Sequence, residues 1–427
     1  MKPLLAQPFW IVLNIYLIIE GINYISYLVQ HEKLSQFKNT VNKKTHKKKI
    51  KKYAKCLQND IVNHVKDPSV QLDNMFGGRI RSYSQEGVLE SLKQCIYFPF
   101  HKKIQNDDKN ILKIVNRYEE LNNIKFKNNK PDTIEKINWY KNELKTWYKP
   151  LPIICAFEAI VTYTHVTMIN EGFQKFTCKN GLVIWYRDGE LKKDVILFVH
   201  AGAGGLLCQS KFITKLPKNM AVIIPELPGI SFGGRVFLPP TVRQMAKSIC
   251  KFIIKKNINT VQMISHSFGG NVLSCIINNN LDYLTTNKVS ITNTILVEPI
   301  IFIPMLPHIG NFMNADITIS DMFNVITKNQ GRFLSCILLF RDIYAQFYAQ
   351  RCFLIMDSLV GETDYEKNNI INIVFSENDE LSPINDCVHY LTSKQYNCSV
   401  KVFSEKCHGD FCFDEEMQTH VLGLIKQ

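Results

Sequence analysis

The sequence predicts an α/β fold built on a mostly parallel sheet with helices on both faces. Three observations predict it. From about Asn170 onward, short apolar runs alternate with helical stretches, separated by Gly, Pro and Asn. Several of these runs, such as 195–199 and 221–224, are continuously apolar rather than alternating, as strands covered on both faces are. The stretch Val261-Gln-Met-Ile-Ser265-His266-Ser267-Phe268-Gly269-Gly270 passes from an apolar strand through a tight polar turn into a helix that opens on two glycines. It has the pattern of a nucleophile elbow, Gly-x-Ser-x-Gly, with Ser265 in place of the first glycine. A serine hydroxyl is a weak nucleophile and must project from a sharp turn where a base can reach it.

The chain begins differently. Residues 9–29 are mostly apolar, matching the ~20 residues of one bilayer crossing. Trp10 near one end, and Tyr24 and Tyr27 near the other, fit interfacial anchors. Glu20 falls mid-span, at a cost of about 2.5–3.5 kcal/mol unless it is protonated or faces another helix. No small-residue cleavage site follows, which argues against a signal peptide. Between residues 43 and 55 stand eight lysines and no acid, against a net charge of +13 for all 427 residues. The basic balance is therefore local. Few aromatics interleave, so nucleic acid is not the expected partner. The expected partners are a membrane, with the lysines near anionic headgroups, and a small-molecule or lipid ester. Positive charge stays cytoplasmic, which predicts a single-pass protein with its N-terminus across the membrane and the rest facing the cytosol. A viral origin would extend that location to the virion.

Residues 1–30 thus read as an anchor and 31–150 as a lysine-rich segment followed by a polar helical spacer or decoration. Leu57, Ile61, Val62 and Val65 recur at helical spacing, as do Ile111, Leu112, Val115, Tyr118 and Leu121. Pro150 and Pro152 mark the boundary with a main domain over 151–427. Thirteen scattered cysteines, an odd number, suit free thiols in a reducing compartment. Cys407-His408 and Cys412 lack the second ligand pair that a zinc site needs, so neither metal nor cofactor is expected.

In the main domain, 172–177 and 182–187 form a strand pair around Asn180-Gly181, and 195–199 leads into His200-Ala-Gly202-Ala-Gly204. A helix over 241–255 places Val242, Met245, Ala246, Ile249 and Ile253 on one face. Strands at 294–297, 370–375 and 400–403 end at Glu298, before Asp379 and before His408. A helix over 415–425 closes the chain. Residues 300–368 break the alternation with an apolar stretch ending in an acidic loop, placed to lie over the strand ends as a helical lid.

Ser267, Asp379 and His408 follow successive strands in the order Ser…Asp…His, and in this the chain resembles the α/β hydrolases. The resemblance covers roughly 172–427. It is strongest to membrane-anchored α/β hydrolases of fungi and to hydrolases of large DNA viruses, through the apolar N-terminus, Trp185-Tyr-Arg187, Ser265-His266-Ser267, Val297-Glu-Pro299 and the apolar lid. It implies an eight-stranded sheet, Ser267 as nucleophile, His408 as base and Asp379 as the acid that orients it. It also implies an oxyanion hole from the N–H of Phe268 and one near Gly202. Glu298 is a rival acid because it too ends a strand; His389 and His420 are weaker bases because they sit within helices. The expected activity is that of a serine esterase acting on carboxylic, including lipid, esters. The same three residues would equally serve an acyltransferase, and a catalytically idle tethered scaffold needs only the fold.

Overall fold

The computed structural model describes residues 6–37, 60, 64, 84–89, 108–126, 143–202, 204–231, 238–302, 341–352, 357, 359 and 363–426. Eight strands form its centre: β1 (Gln174–Thr177), β2 (Val183–Arg187), β3 (Leu191–Val199), β4 (Met220–Glu226), β5 (Thr260–His266), β6 (Ser290–Val297), β7 (Ile371–Asn378) and β8 (Cys398–Cys407). They lie in the order β1-β2-β4-β3-β5-β6-β7-β8. The pairs β1–β2 and β2–β4 are antiparallel, and every pairing from β4 onward is parallel. This is the eight-stranded, mostly parallel sheet that the sequence implies.

The helices are α1 (Ala6–Gln36), α2 (Asp108–Asn122), α3 (Leu151–Asn170), α4 (Gly205–Lys215), α5 (Val242–Lys255), α6 (Gly269–Thr286), α7 (Ile343–Phe347), α8 (Asp364–Asn368), α9 (Ile384–Ser393) and α10 (Glu415–Gly423). Continuous apolar strands serve two cores at once, because successive side chains point to opposite faces. Val195, Leu197 and Val199 of β3 join Ile249 of α5, Val272 of α6 and Tyr390 of α9. Ile196 and Phe198 of the same strand join Phe212 of α4 and Val421 of α10. The face read on α5 is buried as expected, and Thr241 caps that helix in a reciprocal box with Gln244.

Of the described part of 31–150, Val88, Val115, Tyr118 and Leu144 pack into the same core as β3. Three features differ from the linear reading. Residues 151–170, unassigned in the sequence, form α3, with Pro152 in its first turn where a missing N–H costs nothing. The acidic end of the lid is not a loop. Thr363 and Glu366 form a capping box that starts α8. Finally, α1 runs past the expected end of the anchor, and its second half is held to the protein. Leu151 N–H donates to Glu20 at 3.0 Å, Asn23 donates to Tyr148 at 2.6 Å, and Gln30 donates to Tyr344 at 2.7 Å. Glu20 thus turns toward the start of another helix.

Among the described residues, α1 and α3 are both long and apolar enough to cross a membrane. Of the lid, 303–340 lie outside the described residues, as do the lysine run and the positions 57, 61, 62 and 65. What is described of the lid includes α7, the single π turn that follows it, Tyr348–Cys352, and α8.

Candidate active site

The turn after β5 is shaped by a lack of space. A Cβ on residue 269 would lie 2.2 Å from the carbonyl oxygen of Val199, so only glycine lets α6 start so close to the end of β3. The chain makes the turn at Ser267, whose φ of 49° is left-handed, an unusual state for a residue with a side chain. Its N–H extends the sheet ladder by one rung, donating to Val297 O at 2.8 Å. The next strand repeats the device: Glu298 has φ 45°, and its N–H donates to Val374 O at 2.8 Å. Two strained residues at neighbouring strand ends therefore project their side chains from one rim. Ser265 is fully buried in β5, and its hydroxyl has no hydrogen-bond partner among the described residues. A serine is tolerated there because the close approach falls at 269.

The structure brings Ser267, His408 and Asp379 together from the ends of β5, β8 and β7. Ser267 Oγ lies 2.8 Å from His408 Nε2. His408 Nδ1 lies 2.7 Å from Asp379 Oδ2. A carboxylate only accepts, so Nδ1 carries the proton, and in the neutral ring Nε2 is free to accept from the serine. Asp379 is itself held. Its Oδ1 accepts from Leu381 N–H at 2.8 Å and Ser382 N–H at 3.0 Å, an Asx turn that uses the Leu-Ser-Pro sequence. Burial works against a charged His408, but the Asp379 carboxylate beside it, and Glu298 further off, outweigh this and lift it from 6.5 to about 9.

Glu298 does not contact the imidazole of His408. Its Oε2 accepts from His266 Nε2 at 2.6 Å and from Gly409 N–H at 2.8 Å, and its Oε1 accepts from Ser376 Oγ at 2.6 Å. Burial alone would raise this carboxyl, yet His266, the nearby His408 and Ser376 hold it below its usual range. His389 is exposed on α9, and His420 stacks on Phe403 with ring centroids 5.6 Å apart. Cys412 faces Gln209 and His266.

Gly202 follows β3, which the Val199–Gly269 contact presses against the elbow; Phe268 caps the start of α6. The loop around Gly202 is fixed by His200. Its Nδ1 lies 2.7 Å from Ala201 O, and its Nε2 accepts from Leu227 N–H at 3.0 Å. Burial drives this ring down to about 4, so it stays neutral. Phe268 packs on Tyr348 with centroids 5.5 Å apart, which makes the π turn a wall beside the serine. In the sequence His200 and His266 read only as members of the oxyanion loop and the elbow, and Gln209, inside α4, carries no local signal of its role.

No family model and no curated protein matches the sequence. Similar solved structures include a candidate lipase of Acinetobacter baumannii, at 16% identity and a TM-score of 0.45, covering 62% of this chain and 95% of that one. A membrane phospholipase A described as a bacterial virulence factor is similar at 15% identity and 0.44, covering 64% and 92%. A carboxylesterase structure from the thaumarchaeon Nitrososphaera is similar at 14% and 0.43, covering 58% and 97%.

Replacing Gly269 with alanine should drive the start of α6 away from β3 at a cost of about 1–3 kcal/mol. The expected result is a lower melting temperature, read by circular dichroism, together with loss of Ser267 reactivity.

Proposed function

We propose that this chain is a serine hydrolase of the α/β-hydrolase fold that cleaves carboxylic esters, lipid esters among them. One observation carries the reading: the unbroken chain from the strained Ser267 through His408 to Asp379. As Ser267 Oγ attacks the ester carbonyl, His408 Nε2 takes its proton, and Asp379 faces the imidazolium that results. The carbonyl oxygen becomes an oxyanion, for which the N–H of Phe268 and one from the Gly202 loop are the proposed donors, each worth about 2.7–4 kcal/mol. His408 then returns the proton to the leaving alcohol. Water, deprotonated by the same ring, releases the acid from the acyl-serine.

The apolar helices support a membrane-bound setting. Among the described residues, the bonds of α1 to the body begin at Glu20, which leaves 6–19, about 21 Å of helix, as the segment on offer to a bilayer. That is shorter than the ~30 Å hydrocarbon core. We propose that this segment dips into the bilayer and seats the body against the surface, with Val12, Ile15 and Ile18 exposed to lipid.

Fluorophosphonate should label Ser267 in wild-type protein and not in Ser267→Ala, whose hydrolysis of a p-nitrophenyl ester should fall by about 10⁴–10⁶. An unlabelled but folded wild type would end this reading. Because His408 must be neutral to accept the proton and is lifted to about 9, kcat/KM should climb from pH 6 toward pH 9. A flat profile over that range would exclude His408 as the base. Lysine at positions 12, 15 and 18 should abolish flotation with neutral phosphatidylcholine vesicles while leaving hydrolysis of a soluble acetate ester unchanged.

A further inference from the structure

We propose that Glu298 is a positioning residue for the Ser267–His408 pair: a second buried carboxylate that fixes the His408 loop through the Gly409 amide and offsets the positive charge His408 gains on taking the serine proton. This rests on the reading of Ser267, His408 and Asp379 given above.

Glu298 is completely buried, and removing such a carboxylate from water is costly. A sheet of this kind does not need a charge at that depth. The chain nevertheless surrounds it with three donors from three different strands: His266 at the end of β5, Ser376 within β7 and Gly409 after β8. Gly409 directly follows His408, so the same carboxylate oxygen that holds His266 also sets the loop carrying the proposed base. The arrangement extends further back. Gln209 Nε2 donates to His266 Nδ1 at 2.8 Å, which leaves Nε2 as the protonated nitrogen aimed at Glu298. The ring is thereby held with Nε2 toward the negative charge of Glu298.

That charge faces His408. The other groups that face the His408 ring are Asp379 at its Nδ1, Glu380 in the same loop, Ser267 at its Nε2 and the His266 ring, 6.3 Å away between centroids. Around Glu298 itself stand His266, His408, Ser376 and the thiol of Cys412, which Glu298 helps to push up. Asp379 thus makes the direct hydrogen bond, while Glu298 acts through the backbone and through space. A glutamate at the end of β6 need not compete with Asp379; the two divide the work.

The test compares kcat/KM for a soluble p-nitrophenyl ester across pH 5–10 in wild type, Glu298→Gln and Glu298→Asp, with folding checked by thermal melts. Glutamine removes the charge, so the acid limb should move down by about one pH unit and kcat should fall tenfold or more. Aspartate keeps the charge but retracts it from Gly409, so kcat should fall while the limb stays at its wild-type position. A folded, active Glu298→Gln whose limb coincides with that of wild type would overturn the proposal. Should the glutamine variant not fold, Glu298→Asp supplies the measurement: a folded aspartate variant with wild-type kcat would overturn the proposal. Fluorophosphonate labelling of wild type separates the two readings. Without labelling, the Ser267 relay itself falls and takes the role of Glu298 with it; with labelling and an unmoved limb, only Glu298 falls.

Discussion

The carbonyl oxygen of Val199 occupies the place where any side chain on residue 269 would have to begin. That contact fixes how closely β3 and α6 approach, and so how sharply the chain must turn between them. The turn forces Ser267 into a left-handed backbone, a state costing about 1–3 kcal/mol that persists only where the surroundings over-determine it. Here they do. The strained N–H is bonded to the neighbouring strand, and residues on either side are buried. The serine, itself buried, stands at the rim because the sheet leaves it nowhere else to go.

Charge is distributed around this rim by the same logic. His200 and His408 are both enclosed by protein, and burial pushes both toward the neutral form. His200 meets only backbone and a serine hydroxyl, and falls to about 4. His408 meets Asp379 directly and Glu298 nearby, and rises to about 9. One residue type at two strand ends of the same sheet is thus a neutral brace in one place and, in the proposed relay, a proton acceptor in the other. The difference lies chiefly in the carboxylate bonded directly to His408.

Much of this was legible in the linear sequence. Continuous apolar runs identified the parallel strands because burial on both faces leaves no polar side to alternate with, and the amphipathic spacing of Val242, Met245, Ala246, Ile249 and Ile253 gave α5 its buried face. Ser267, Asp379 and His408 were readable as candidates because each follows a strand and the turn chemistry beside it is distinctive. What stayed hidden depends on contacts across the sheet. Nothing local to Glu298 says that it holds Gly409, more than a hundred residues on. Nothing in α1 says that half of it is bonded to distant segments. Residues 151–170 carry apolar side chains on most sides, and so lack the one-sided periodicity that made α5 stand out.

The docking of α1 has a consequence for how the molecule is made. Its partners Tyr344, Phe347 and Arg351 are among the last parts of the body to be synthesised: Gln30 bonds Tyr344, Phe37 packs on Phe347, and Arg351 donates to Ser35 O. A nascent chain leaves the ribosome from its N-terminus, so this helix waits for those later partners with only the segment around Tyr148 and Leu151 to bind. A bilayer within reach would receive it first, and the body would then close around a segment already committed to lipid.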